Sequence, residues 1–205
     1  KAAVVDMVRQ FYIGGSYAIA IVKGDVAAVE TAVAAARPEL EKYCSVVAAH
    51  SIASIDEDVL AMMLDKKAPP DELPAGAAIG AVETQGVAGA LEAAKRGLDA
   101  ASVTLAGFLG PGGGLMVACF LGEVADVRSA VNAASRCAGG VTKVYGQTVI
   151  PAPHPRLMAG FGPKPKGFSL KASALGTLET MGFVALFEAS DAALKAAEIG
   201  IGNWK

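Results

Sequence analysis

The seven residues Ala78 to Thr84 (AIGAVET) return 96 positions later as Ala174 to Thr180 (ALGTLET), and the echo runs on through Glu92/Glu188 and Leu98/Leu194 to Phe108/Trp204. This period is far longer than a solenoid repeat, so a whole small domain is duplicated. A second echo, offset by 98, joins Gly14 to Val26 (GGSYAIAIVKGDV) with Gly112 to Val124 (GGGLMVACFLGEV). The amino terminus therefore matches the second half of the repeated unit. Residues 76–158 form one uninterrupted copy, whereas residues 174–205 and 1–65 supply the first and second halves of the other, split across the termini. Segments 66–75 and 159–173, rich in Pro, Gly and charge, read as exposed linkers.

The intact copy shows how one unit is built. Ala78 to Glu83 is a short strand of small and branched residues, and Gly86 ends it. Val87, Leu91, Ala94 and Leu98 then recur at helical spacing over Val87 to Ala101. Val103 to Leu109 and Leu115 to Leu121 are two further strands joined by the Gly110 to Gly114 turn. A second helix over Val124 to Cys137 stops at Gly139 and Gly140, and Val141 to Ile150 closes the unit before a Pro-rich turn. The order β-α-β-β-α-β predicts an α+β domain, an antiparallel sheet with helices packed on it. The split copy repeats the pattern: strand Ala174 to Glu179, helix Phe183 to Ala197, strands Val5 to Gly15 and Tyr17 to Val22, helix Val26 to Ala36, strand Ser45 to Ile52. One conflict is built in, because residues 1–11 and 195–205 both correspond to the second strand of that copy.

Composition narrows the function. The 53% hydrophobic content is high beside 19% charge, yet no apolar run reaches the ~18 residues of a membrane span, so the surplus points to subunit contacts. A formal net charge of −2 with scattered basic residues gives no footprint for nucleic acid. Cys44, Cys119 and Cys137 are odd in number and widely spaced, which argues against a disulfide framework and a metal site, and the start has no signal-peptide pattern, so a cytoplasmic chain is expected.

No catalytic constellation emerges. Glu83 and Glu179 recur at matching strand ends, where local backbone donors or a subunit contact account for them better than paired acid–base catalysis. His50 and His154 occupy non-equivalent positions with no evident nucleophile or acid partner. The Gly112, Gly113, Gly114 turn leads into a strand rather than a helix and carries no following Lys-Ser/Thr, which disfavours a phosphate loop.

Taken in order, the two strand-helix entries, the glycine turns, the GEVADV and GDVAAV helix starts and the closing VIPAPHP resemble bacterial microcompartment shell proteins over nearly the whole chain. Two such domains in one chain look like the tandem-domain members, here circularly permuted, whose trimers imitate a hexamer. The resemblance implies a non-enzymatic, cofactor-free homotrimeric tile that joins other shell proteins edge to edge around enclosed enzymes. It also implies a central pore for small metabolites, lined by Gly14, Gly15 and Ser16 and by Gly112, Gly113 and Gly114. Lys195 matches the family's edge lysine; Asp99 stands at that position in the intact copy, and His154 belongs to the closing turn at the same edge. Neither glycine turn holds a cysteine, which argues against the iron–sulfur cluster that some tandem relatives carry at the pore. The competing reading is a trimeric α+β regulator that binds a small molecule between subunits; it should stay discrete and gain thermal stability from its ligand.

Overall fold

A computed structural model describes residues 4–64, 74, 76–160 and 176–199. The elements run β1 (Val5–Ile13), β2 (Tyr17–Gly24), α1 (Val26–Glu41), α2 (Glu57–Met63), β3 (Ala78–Gln85), α3 (Gly86–Ala100), β4 (Thr104–Gly112), β5 (Leu115–Gly122), α4 (Val124–Ala138), β6 (Val144–Ile150), a 3-10 turn (Pro155–Gly160) and α5 (Phe183–Ala196). The fold is α+β with antiparallel pairing throughout.

The intact copy closes a four-stranded sheet in the order β4-β5-β3-β6. Its central strand β3 is buried over Ala78–Thr84, as expected of a short run of small and branched residues covered on both faces. Helices α3 and α4 cover one face, packing Val87, Ala90, Ala94, Val127, Val131 and Ala134 against Val82, Ala118 and Phe120. Small residues allow this close approach. A methyl group on Gly80 would lie 2.5 Å from Val131 and 2.6 Å from Val127, and one on Gly97 would lie 2.5 Å from the Phe120 ring. The opposite face carries Ile79, Ala81, Val117, Cys119 and Leu121, and α5 covers it with Phe183, Phe187 and Leu194.

The split copy folds in two separate places. Its second half makes the β1–β2 hairpin followed by α1, with a register that repeats β4–β5 away from the turn: the irregularity between Met7 and Arg9 falls at the positions equivalent to Leu105 and Gly107, whereas the second irregularity of β4–β5, between Leu109 and Gly112, has no counterpart. The amino-terminal end of the chain thus fills the contested second-strand slot, Ala197 to Ile199 form no strand, and residues 200–205 lie outside the described part. The expected strands at Ser45–Ile52 and Ala174–Glu179 are corrected. Residues 45–52 and 176–179 run without strand pairing, and 174 and 175 lie outside the described residues. The physical reason is that each needs the other: in the intact copy β6 is held only by β3, and β3 lies between β5 and β6. Helix α2, capped by Asp56 accepting from the Asp58 amide, was not legible in the repeat because the intact copy has a proline turn there. The linkers 66–75 and 159–173 fall largely outside the described residues.

Candidate functional site

The two glycine turns lie against each other although 98 residues separate them. A methyl on Gly14 would fall 2.9 Å from the Gly113 amide nitrogen, and one on Gly15 would fall 2.9 Å from the Gly113 carbonyl. Backbone therefore meets backbone, which only side-chain-free residues permit. Gly15, Ser16, Gly112, Gly113 and Gly114 all have positive φ, and Ser16 at 65° is one of two non-glycine residues in that region among the described residues. Tyr17 packs against the junction: its ring fills the space a side chain on Gly114 would take, and its hydroxyl accepts a 2.7 Å hydrogen bond from Gln85 Nε2. Tyr17 and Gln85 were not singled out in the sequence, since neither is repeated in the other copy.

The residues expected at the edge sort differently. Lys195 pairs with Asp191 one turn earlier on α5, and Asp99 pairs with Lys95 one turn earlier on α3. These pairs occupy equivalent positions with the charges exchanged. Arg96 also reaches Asp99, at 3.8 Å. His154 does not stand alone at a rim: its amide donates to Asp191 Oδ1 at 2.6 Å, and its ring Nδ1 accepts from the Arg156 amide. The closing turn of the intact copy is thereby tied to α5.

Glu83 is a structural carboxylate. It is 1% exposed, and its oxygens accept from the Phe183 amide at 2.9 Å and the Val184 amide at 3.3 Å, satisfying the open end of α5 and the positive end of its dipole. Glu92 is similarly buried on α3. Burial alone would raise its pKa, but hydrogen bonds from Arg96 at 2.8 Å and His50 at 3.1 Å, with their charges, hold it below the usual carboxylate range. The Cys119 thiol is pushed up to about 12 by burial in the sheet, which keeps it a protonated packing residue. Among the described residues no group of three or more His, Cys, Asp or Glu is placed to hold a metal, and no helix is long and apolar enough to cross a membrane.

A small α+β unit that packs copies of itself through apolar faces and meets at glycine turns defines an assembly module. Residues 1–55 and 78–153 match the BMC domain. The chain belongs to this bacterial microcompartment shell family, in the tandem-domain arrangement, and repeated β-α-β-β-α-β units account for its internal echoes. It is 34% identical over 142 residues to the carboxysome assembly protein CcmO of Synechocystis, covering 64% of this chain and 48% of that protein. It is 39% identical over 77 residues to the shell protein PduA of Citrobacter freundii, covering 38% of this chain and 83% of that one. A solved microcompartment protein from Desulfitobacterium hafniense superposes with a TM-score of 0.58 at 28% identity, over 75% of this chain and 83% of that chain. The chain spans about half the length of the CcmO relatives it matches.

Proposed function

We propose that three chains form a pseudohexameric tile of a microcompartment shell, with a central pore for small metabolites. The observation that carries this reading is the junction of the two glycine turns. Equivalent loops from both copies come to one place with backbone amides and little side-chain bulk, as a rim shared by both copies requires. Gly14, Gly15, Ser16, Gly112, Gly113 and Gly114 then line the opening. Lys195, Asp99 and His154 contribute to the outer edge, where the exchanged pairs Lys95–Asp99 and Asp191–Lys195 make alternate edges chemically distinct. Other shell proteins join there, and the tile encloses enzymes within the bacterial cytoplasm. The role is structural, with no cofactor.

Native mass measurement and electron microscopy of the purified chain test this together. Three-chain particles that tile into sheets or closed shells are expected. Discrete particles whose melting temperature rises with a metabolite would instead favour the regulator and overturn the tile.

A further inference from the structure

A polar cleft of about 290 Å³ opens between α4, β6 and α5. Arg128 and Asn132 of α4, Gln147 and Thr148 of β6 and Glu188 of α5 line it, so it shares no residue with the glycine turns. One contact crosses it: the Thr148 hydroxyl donates to Glu188 Oε1. The volume lies at the small end of the range for ligand sites, which suits a metabolite of a few heavy atoms rather than a nucleotide.

The charges in this cleft are unused by the fold. Among the described residues the side chains of Arg128, Asn132 and Gln147 have no hydrogen-bond or ion-pair partner, and Arg128 and Glu188 line one cleft without pairing with each other. Elsewhere the carboxylates of α3 and α5 find a cation at once: Glu92 takes Arg96, Asp99 takes Lys95 and Asp191 takes Lys195. The internal echo shows that the unit does not call for the polar set. Ninety-eight positions earlier, Arg128, Asn132 and Gln147 are replaced by Glu30, Ala34 and Ala49, whereas Glu188 is kept 96 positions earlier as Glu92. There Glu92 is satisfied by Arg96 and His50. Here a guanidinium, two amides and one carboxylate oxygen are left to a ligand.

We infer that this cleft binds a small zwitterion of the free amino-acid class, with its carboxylate on Arg128 and its ammonium on Glu188. The planar guanidinium fork matches a carboxylate with two parallel hydrogen bonds, and a carboxylate oxygen suits a compact ammonium. One charge of each sign lines the cleft, so a ligand carrying both is complementary throughout. A simple anion would face Glu188 and a simple cation would face Arg128, each at a repulsive cost. Asn132 and Gln147 supply both donors and acceptors for a hydroxyl or amide on the ligand. Every lining residue named belongs to one chain, so the site stands apart from the tile proposed above.

Titration calorimetry of the full chain tests this with three probes: L-serine, L-lactate, which keeps the carboxylate and loses the ammonium, and ethanolamine, which does the opposite. Saturable binding of serine is expected, roughly tenfold or more tighter than either of the others, the factor that one charge-assisted contact supplies. Arg128→Gln and Glu188→Gln should each weaken serine by about the same factor. Both side chains are exposed, so the melting temperature should stay within about 2 °C of the parent, and Glu188→Gln keeps an acceptor for Thr148. Absence of saturable serine binding, lactate or ethanolamine binding as tightly as serine, or serine affinity unchanged in both variants would overturn the inference. The comparison of probes needs no substitution and decides even where a variant fails to fold. Electron microscopy of the serine-saturated protein keeps this site and the tile separate: discrete particles that bind serine retain the site and remove the tile, and sheets that do not bind it do the reverse.

Discussion

Val127 and Val29 occupy the same position in two copies of one helix, and only the first is buried. Helix α4 lies on β3 and β6, so its valines meet Gly80 and lose water on every side. Helix α1 follows a hairpin that shares one register irregularity with β4–β5, but among the described residues no strand equivalent to β3 lies beneath it. The difference teaches that in this unit the hairpin forms on local pairing, whereas the helix depends on a central strand that is distant in sequence. A half-domain of this kind keeps its turn and its helix and exposes its core.

The comparison can be broken most forcefully at the glycine that separates the copies. Gly80→Val should remove roughly 3 kcal/mol or more from the stability of the intact copy, the upper end of overpacking costs, because two valines already touch the site. Urea unfolding followed by circular dichroism would measure it; a loss below about 1 kcal/mol would show that α4 is free to retreat.

Next comes the helix that covers the far face. Phe187→Ala, fully buried between the sheet and α5, should cost about 3 kcal/mol and release α5 to proteolysis at neutral pH. Glu83→Ala removes the acceptor of two helix-end amides in the same interface, and about 2 kcal/mol should be lost, visible as earlier hydrogen exchange of α5 than of α3.

The paired valines sharpen the contrast. Val127→Ala should cost about 2 kcal/mol from two buried methyl groups and the space they leave. Val29→Ala, at a half-buried position, should cost about 1 kcal/mol or less. Equal losses in dilute monomer would remove the distinction between the copies.

The smallest effect concerns pH. Glu92 has a lowered folded-state pKa, so its pairing with Arg96 and His50 stabilises the fold fully above the unfolded carboxylate value. That contribution is lost as pH falls through the lower folded value. Glu92→Gln should therefore flatten the acid limb of the stability curve below about pH 4.5, with little change in slope near pH 7. An unchanged acid limb would mean that other carboxylates carry it.

Much of the intact copy was legible because its signals are local. Alternating small and branched residues, helical spacing of Val87, Leu91 and Ala94, and glycine punctuation set each element close to its observed bounds. The glycine turns were legible as turns, but their contact was not, since nothing in the 97 residues between Gly14 and Gly112 encodes proximity. Lys195 and Asp99 were visible as an exchanged position; their partners Asp191 and Lys95 lie one turn away on the same helices and were overlooked. The apolar residues of 45–52 favour a strand, yet strand pairing requires a neighbour, and among the described residues none lies beside it.

The sequence alone determined that one unit recurs along the chain, because duplication is written in the residues themselves. It also determined the turns, the helices and the hairpin, whose stabilising contacts span few residues. Only the tertiary structure decided that the amino-terminal end fills the second-strand slot, that the two half-domains lie on opposite faces of the intact one, and that a glycine-lined junction joins the copies. Those outcomes depend on which apolar faces meet in space, and burial of distant surfaces is a property of the packed chain rather than of any segment.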